Sequence, residues 1–199
     1  VTQNVGEDHR AYLVQEENGN QATITQKSNV RNQYFNPDGN KVGTASHAAR
    51  QAGDDNVLTI IQDFATNNGN EVGTGGLGLD QIGDGNTATI NQYGSRNIVR
   101  ELQQTNSLGG EANEITINQG KATSLSTYVY NRIDSAHQIN DGGAKNTATL
   151  TQSGPAGSLN RIANLVQDGS ANEAEITQAG IRNVVDTASQ TGTGNSLTI

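Results

Sequence analysis

The chain contains no cysteine, methionine or tryptophan, two prolines, and among its 199 residues five Tyr and two Phe as the sole aromatics. Without cysteine there is no disulfide framework and no thiol-ligated metal, although the compartment stays open because many exported proteins do without disulfides. Basic residues are scarce: 12 Lys and Arg against 20 Asp and Glu give a net charge of -8, and no basic stripe occurs. This excludes electrostatic binding to nucleic acid or to an anionic membrane. No apolar run approaches the roughly 20 residues that span a bilayer, so the chain is not membrane-embedded. No charged-then-apolar segment is present either, and with Val1 at the front the chain reads as a processed one whose export signal has been removed. Hydrophobic residues make up 32%, too few for an ordinary oily core. Composition alone would therefore leave this chain disordered, and only a regular pattern can fold it.

That pattern is present. Seven segments share Asn-x-(aliphatic)-x-(Ile or Leu)-x-Gln: Asn20 to Gln26, Asn56 to Gln62, Asn86 to Gln92, Asn113 to Gln119, Asn146 to Gln152, Asn172 to Gln178, and the shorter NSLTI from Asn195. Strict alternation over seven residues rich in Ile, Thr and Val predicts strands with one buried face. Positions one, three, five and seven face inward, so each of these A strands buries an Asn, two aliphatic residues and a Gln.

Between them runs a second family, opening with Asn-x-(Val or Ile) and closing with Gln: Asn97 to Gln104, Asn131 to Gln138, Asn160 to Gln167 and Asn183 to Gln190. These B strands carry eight residues, so keeping both ends inward requires one extra residue in the middle, a bulge. Copies from Asn40 to Gln51 and from Asn70 to Gln81 insert more at the same point, and a weaker copy starts at Asn4. Gln-x-Gly-x-x-Asn recurs six times, from Gln51, Gln81, Gln92, Gln167, Gln178 and Gln190, and places Gly53, Gly83, Gly94, Gly169, Gly180 and Gly192 in the reversals between strands.

A strand-turn-strand unit of about 22 residues cannot bury its apolar face alone. Stacking A on A and B on B gives one repeat domain over 1–199, an all-β, two-sided parallel β-solenoid of seven rungs: 4–26, 40–62, 70–92, 97–119, 131–152, 160–178 and 183–199. At about 4.8 Å per rung the stack is roughly 34 Å long. Identical amides at the corners then stand above one another, where each NH2 can donate to the next carbonyl in a continuous ladder. A solenoid without polar caps presents a full rung edge at each end, and another copy can satisfy it by strand addition.

The six Gln-x-Gly-x-x-Asn copies, joined to strands such as NQATITQ and NTATINQ, resemble the curlin repeat of the major subunit of bacterial curli fibres. The resemblance covers nearly the whole chain. It implies an extracellular, cell-surface functional amyloid that stacks into cross-β fibres, supports biofilm matrix and adhesion, is exported through an outer-membrane secretion pore and is seeded by a nucleator subunit. It also implies that the ladder residues are the functional ones, with no cofactor and no catalysis.

Other chemistry is thinly represented. GGLGLDQI, residues 75–82, fits one calcium-binding repeat with Asp80 as ligand, without the tandem copies such sites need. The overlapping GTGGLG lacks the strand-then-helix context of a nucleotide loop. His9, His47 and His137 have no metal-ligand spacing. Glu173 and Glu175 project outward as an exposed carboxylate pair rather than a hydrolase dyad. Outward Thr pairs, such as Thr23 with Thr25 and Thr87 with Thr89, leave a soluble ice-binding, or calcium- or glycan-binding, solenoid as the alternative. Tyr12, Tyr34, Tyr93, Tyr128, Tyr130, Phe35 and Phe64 fall mainly in or near turns and loops, where they could bundle fibres or pack within the insertions.

Overall fold

The structure, a computed structural model, describes residues 1–4, 9–28, 39–64, 69–73, 78–94, 96–107, 110–120, 129–154 and 158–199. Every pairing between its strands is parallel and joins one rung to the next. The A family forms one eight-stranded sheet from Thr2–Asn4 through Gln21–Ser28, Val57–Phe64, Thr87–Tyr93, Glu114–Gln119, Thr147–Ser153 and Glu173–Ala179 to Ser196–Thr198. No helix occurs among the described residues. The fold is thus an all-β parallel solenoid, as the repeat predicts.

The B family differs in one respect: each copy divides into two short strands that belong to different sheets. The first parts build a six-stranded sheet from Arg10–Ala11 to Ser158–Arg161, continued by a bridge from Arg161 to Val184. The second parts build a seven-stranded C sheet, from Leu13–Glu16 through Leu102–Asn106 to Gln190–Thr193. The extra residue of the eight-residue copies explains the division. In the copy from Asn97, residues Asn97, Val99, Leu102 and Gln104 are buried, whereas Arg100 and Glu101 together occupy the outside of the break. Glu101 takes a φ of 63°, and the equivalent breaks contain Asp134 and Ser135 (49° and 82°) and Ala163 and Asn164 (45° and 79°). The two longer copies use Gly43 and Gly73 there.

L-residues in this left-handed region are strained, whereas glycine enters it freely. Ala163→Gly is accordingly expected to stabilise the fold by about 0.5–1 kcal/mol, the relief of strain exceeding the added entropy of the unfolded chain. A higher denaturant midpoint at unchanged slope is the signature.

The core is a column of aliphatic side chains in each of four inward positions. The A sheet supplies Leu58 and Ile60, Ala88 and Ile90, Ile115 and Ile117 in successive rungs, the B sheet Val42, Val72 and Val99, and the C sheet Ala49, Leu79 and Leu102, all with no exposed surface. The C-sheet column is the one that the alternation of the B copies does not announce. In three rungs a small residue faces a large one, Ala49 with Leu58, Leu79 with Ala88, and Leu165 with Ala174, whereas Leu102 and Ile115 are both large. The rung of Ala136 and Ala148 has two small residues instead.

The first rung departs from the expected alignment. Thr2–Asn4 is the end of a further A strand, with Gln3 opposite Gln26, so Asn4 does not open a B copy. That opening falls to His9, which precedes the Arg10–Ala11 strand in register with Lys41–Val42. Its Nδ1 accepts the Asn40 backbone N–H at 3.1 Å, as the Asn40 Oδ1 accepts that of Asn70 at 2.9 Å. An imidazole has taken the place of the corner amide.

Candidate functional site: stacked amide ladders

Two columns of glutamine run the length of the solenoid. At the end of the A strands, each Nε2 donates to the Oε1 of the next rung, from Gln3 through Gln26, Gln62, Gln92, Gln119 and Gln152 to Gln178, at 2.8–3.0 Å. On the C sheet the column passes from Gln15 through Gln51, Gln81, Gln104, Gln138 and Gln167 to Gln190, at 2.7–3.0 Å. Both columns donate in the same direction, toward the C-terminal rung. In most of these amides the second N–H crosses the corner to a backbone carbonyl of the neighbouring sheet, as from Gln62 to Lys41 (3.2 Å) and from Gln104 to Thr87 (3.0 Å). Interior rungs such as Gln62, Gln92 and Gln104 are fully buried, so this pairing removes the roughly 1–3 kcal/mol that an orphaned buried amide costs.

The geometry also accounts for Gln-x-Gly-x-x-Asn. The Gln51 Nε2 donates to the Asn56 carbonyl at 3.0 Å, and Gln81 does the same to Asn86, so the motif closes on itself across its turn. The carbonyl of its glycine accepts from the corner Asn of the preceding rung: Asn20 to Gly53 and Asn56 to Gly83, each 2.7 Å, Asn146 to Gly169 at 2.9 Å and Asn172 to Gly192 at 3.0 Å. All six turn glycines have positive φ. At Gly169 the demand is also steric, since a Cβ would lie 2.1 Å from the Gly192 carbonyl oxygen.

The A-strand asparagines run the other way. The Oδ1 of one rung accepts from the next: Asn86 and then Asn113 donate back to Asn56 and Asn86 through both backbone N–H and Nδ2, and Asn195 donates likewise to Asn172. In the B column the direction reverses midway. Asn97 donates back to Asn70 at 3.1 Å, while Asn131 donates forward to Asn160 at 3.3 Å and Asn160 to Asn183 at 2.8 Å. At the reversal the buried Oδ1 atoms of Asn97 and Asn131, on adjacent rungs, have no donor.

Of the expected ladder residues, all are buried except Asn20, Asn183 and Asn195, which stand in the terminal rungs. Two corner residues escape the pattern. Asn106 and Asn140 occupy the place of glycine two residues after Gln104 and Gln138, where the turn is longer, and both are buried. Asn106 accepts from Asn86 at 2.9 Å and donates to the Asp84 carbonyl at 2.9 Å, so its side chain does what a tight turn does elsewhere. The sequence signal is Gln-x-Asn in place of Gln-x-Gly.

The remaining candidates stay apart. Residues 74–77, Tyr34, Phe35 and Tyr128, as well as the side chains of Phe64 and Tyr130, lie outside the described residues. Asp80 is half-buried on the outer face of the C sheet; burial raises its carboxyl above the usual range, against the opposing pull of Arg50 and His47. Among the described residues no three His, Asp or Glu side chains gather as a metal site. Glu173 and Glu175 are exposed on the A sheet beside Thr147 and Thr149. Thr23, Thr59, Thr89, Thr116 and Thr149 stack in register in one outward column, which Val57, Glu114, Ile61 and Asn91 flank. Comparison of the chain with family models, with curated proteins and with solved structures finds no match in any of the three.

Proposed function

We propose that the chain is the structural subunit of an extracellular, curli-like amyloid fibre, which polymerises head to tail and serves biofilm matrix and adhesion. The observation that carries this reading is the pair of glutamine columns that pass through every rung with a single direction. A ladder of this kind gains from each added layer and has no preferred length, because only its first and last amides lack a neighbour. The edges of the described stack are correspondingly open: Gln15 is exposed and Ile199 54% exposed, whereas Gln51 and Ile176, beside them one rung inward, are fully buried. The curlin resemblance adds export through an outer-membrane pore and seeding by a nucleator subunit. Nothing in the ladder performs bond-making chemistry; its product is the stack.

Dilution of the purified chain from denaturant, followed by negative-stain electron microscopy and thioflavin fluorescence, is expected to show unbranched fibres after a lag that preformed seeds shorten. The in-register threonine column favours a second reading, a soluble ice-binding solenoid. A persistently monodisperse monomer with thermal hysteresis would select it.

A further inference from the structure

The sequence shows no basic stripe, yet the fold gathers four of the chain's eight arginines around one groove. It lies on the outer face of the B sheet, where Ile98, Arg132, Arg161 and Val184 stand one above another in successive rungs. Arg96 and Arg182 border it from the A-to-B connections, each immediately before the corner Asn of its rung. The groove measures about 470 Å3 and spans four rungs, about 14 Å between its outer layers. Arg132 and Arg161 pair with Asp134 and Asp186, whereas Arg182 is exposed and forms no ion pair among the described residues. A guanidinium carries five donors in a planar fork, so a paired one can still take a second carboxylate.

The opposite charge collects at the other end of the A strands. In the first three rungs the turns from the C sheet into the A sheet carry Glu17, Asp54, Asp55 and Asp84, and no basic residue. The Asn18 N–H donates to the Asp54 Oδ1 and the Asp54 N–H to the Asp84 Oδ1, each at 2.8 Å, which holds these carboxylates in a column. None of the four acids forms an ion pair among the described residues. Like charges one strand spacing apart repel, and cations brought against them relieve the repulsion. Column and groove share a period of about 4.8 Å because strand spacing sets both, so a second copy of this chain matches the groove rung for rung. Ala52 and Ile82, half-buried at the start of the same turns, add apolar surface to meet Ile98 and Val184.

Resting on the polymer reading above, we propose that fibres pack side by side, the arginine groove of a molecule in one fibre receiving the acidic edge of a molecule in the next. The groove belongs to the fourth to seventh rungs and the edge to the first three, so the two molecules are offset by three or four rungs, roughly 14–19 Å. Because the two surfaces differ and lie at opposite ends of the A strands, the contact does not close on itself; it repeats from fibre to fibre.

Negative-stain microscopy of assembled fibres reads this contact. At low salt wild-type fibres are expected to lie in bundles, which separate into single filaments in about 1 M salt, where the screening length falls to about 3 Å. The Arg161→Glu, Arg182→Glu variant and the Glu17→Lys, Asp55→Lys variant alter exposed side chains outside the glutamine ladders, and each is expected to give single filaments at low salt. The second variant raises the net charge by four, from -8 to -4, which would strengthen bundling if overall repulsion governed it; the local contact predicts its loss. Fibres of the two variants mixed together are expected to bundle again, because each supplies the charge that the other has lost. Wild-type fibres that stay single at low salt, bundles that persist in about 1 M salt, variants that bundle as the wild type does, or mixed variants that stay single would overturn the lateral contact and leave the polymer reading standing. A wild-type chain that forms no fibres would overturn both.

Discussion

Gln92→Ala is expected to destabilise the fold by about 3–6 kcal/mol, because it leaves two orphans and a cavity. Gln92 accepts from Gln62 and donates to Gln119 and to the Glu71 carbonyl, and it is wholly buried. Removing it leaves one Gln62 N–H and the Gln119 Oε1 without a partner in the buried interior. Thr89→Ala, three residues away on the outer face of the same strand, should stay within about 0.5 kcal/mol. Urea unfolding of the monomeric chain measures both. Gln92→Glu separates the amide's two roles. Its carboxylate can still accept from Gln62 but cannot donate to Gln119, and it carries a buried charge. Burial raises a carboxyl's folded pKa above the unfolded value of about 4.3, so the penalty is absent below that pH and grows as pH rises through the folded value. The variant should therefore approach wild type only in acid; wild-type stability at every pH would argue that side-chain volume, not hydrogen bonding, is what the column needs.

Gly169→Ala should cost about 3 kcal/mol or more, the sum of a left-handed φ of 105° forced on an L-residue and a methyl group driven into the Gly192 carbonyl. Gly180 supplies the control. Its φ is 97°, but a Cβ there would meet nothing within 4 Å. Gly180→Ala thus carries the backbone strain alone, about 1–2 kcal/mol. The difference between the two midpoints measures how tightly successive turns stack, and similar losses would mean that backbone conformation governs both sites.

The A strands were legible because seven residues of strict alternation allow only one buried face, and their corner amides were legible because the same types return at the same positions. The extra residue in the B copies was legible as well. Its form was not: Glu101, Ser135 and Asn164 do not favour a left-handed backbone strongly enough to announce it, and the inward demands of Val99 and Leu102 on either side impose it. His9 was hidden because its nitrogen does the work of an amide oxygen, which residue-type matching cannot see. Thr2–Asn4 is too short to show a period. Asn106 and Asn140 were missed because their longer turns displace the glycine that marks the others.

The reversal between Asn97 and Asn131 bears on how the solenoid carries load. Elsewhere each corner amide ties its rung to a neighbour, but here two carbonyls meet across the gap with no proton between them, and the rung beyond it is the one built on Ala136 and Ala148. Pulled along its axis, the molecule is expected to part more easily here than at the neighbouring seams, because three corner columns rather than four cross it: Gln104 to Gln138, Gln119 to Gln152 and Asn146 to Asn113.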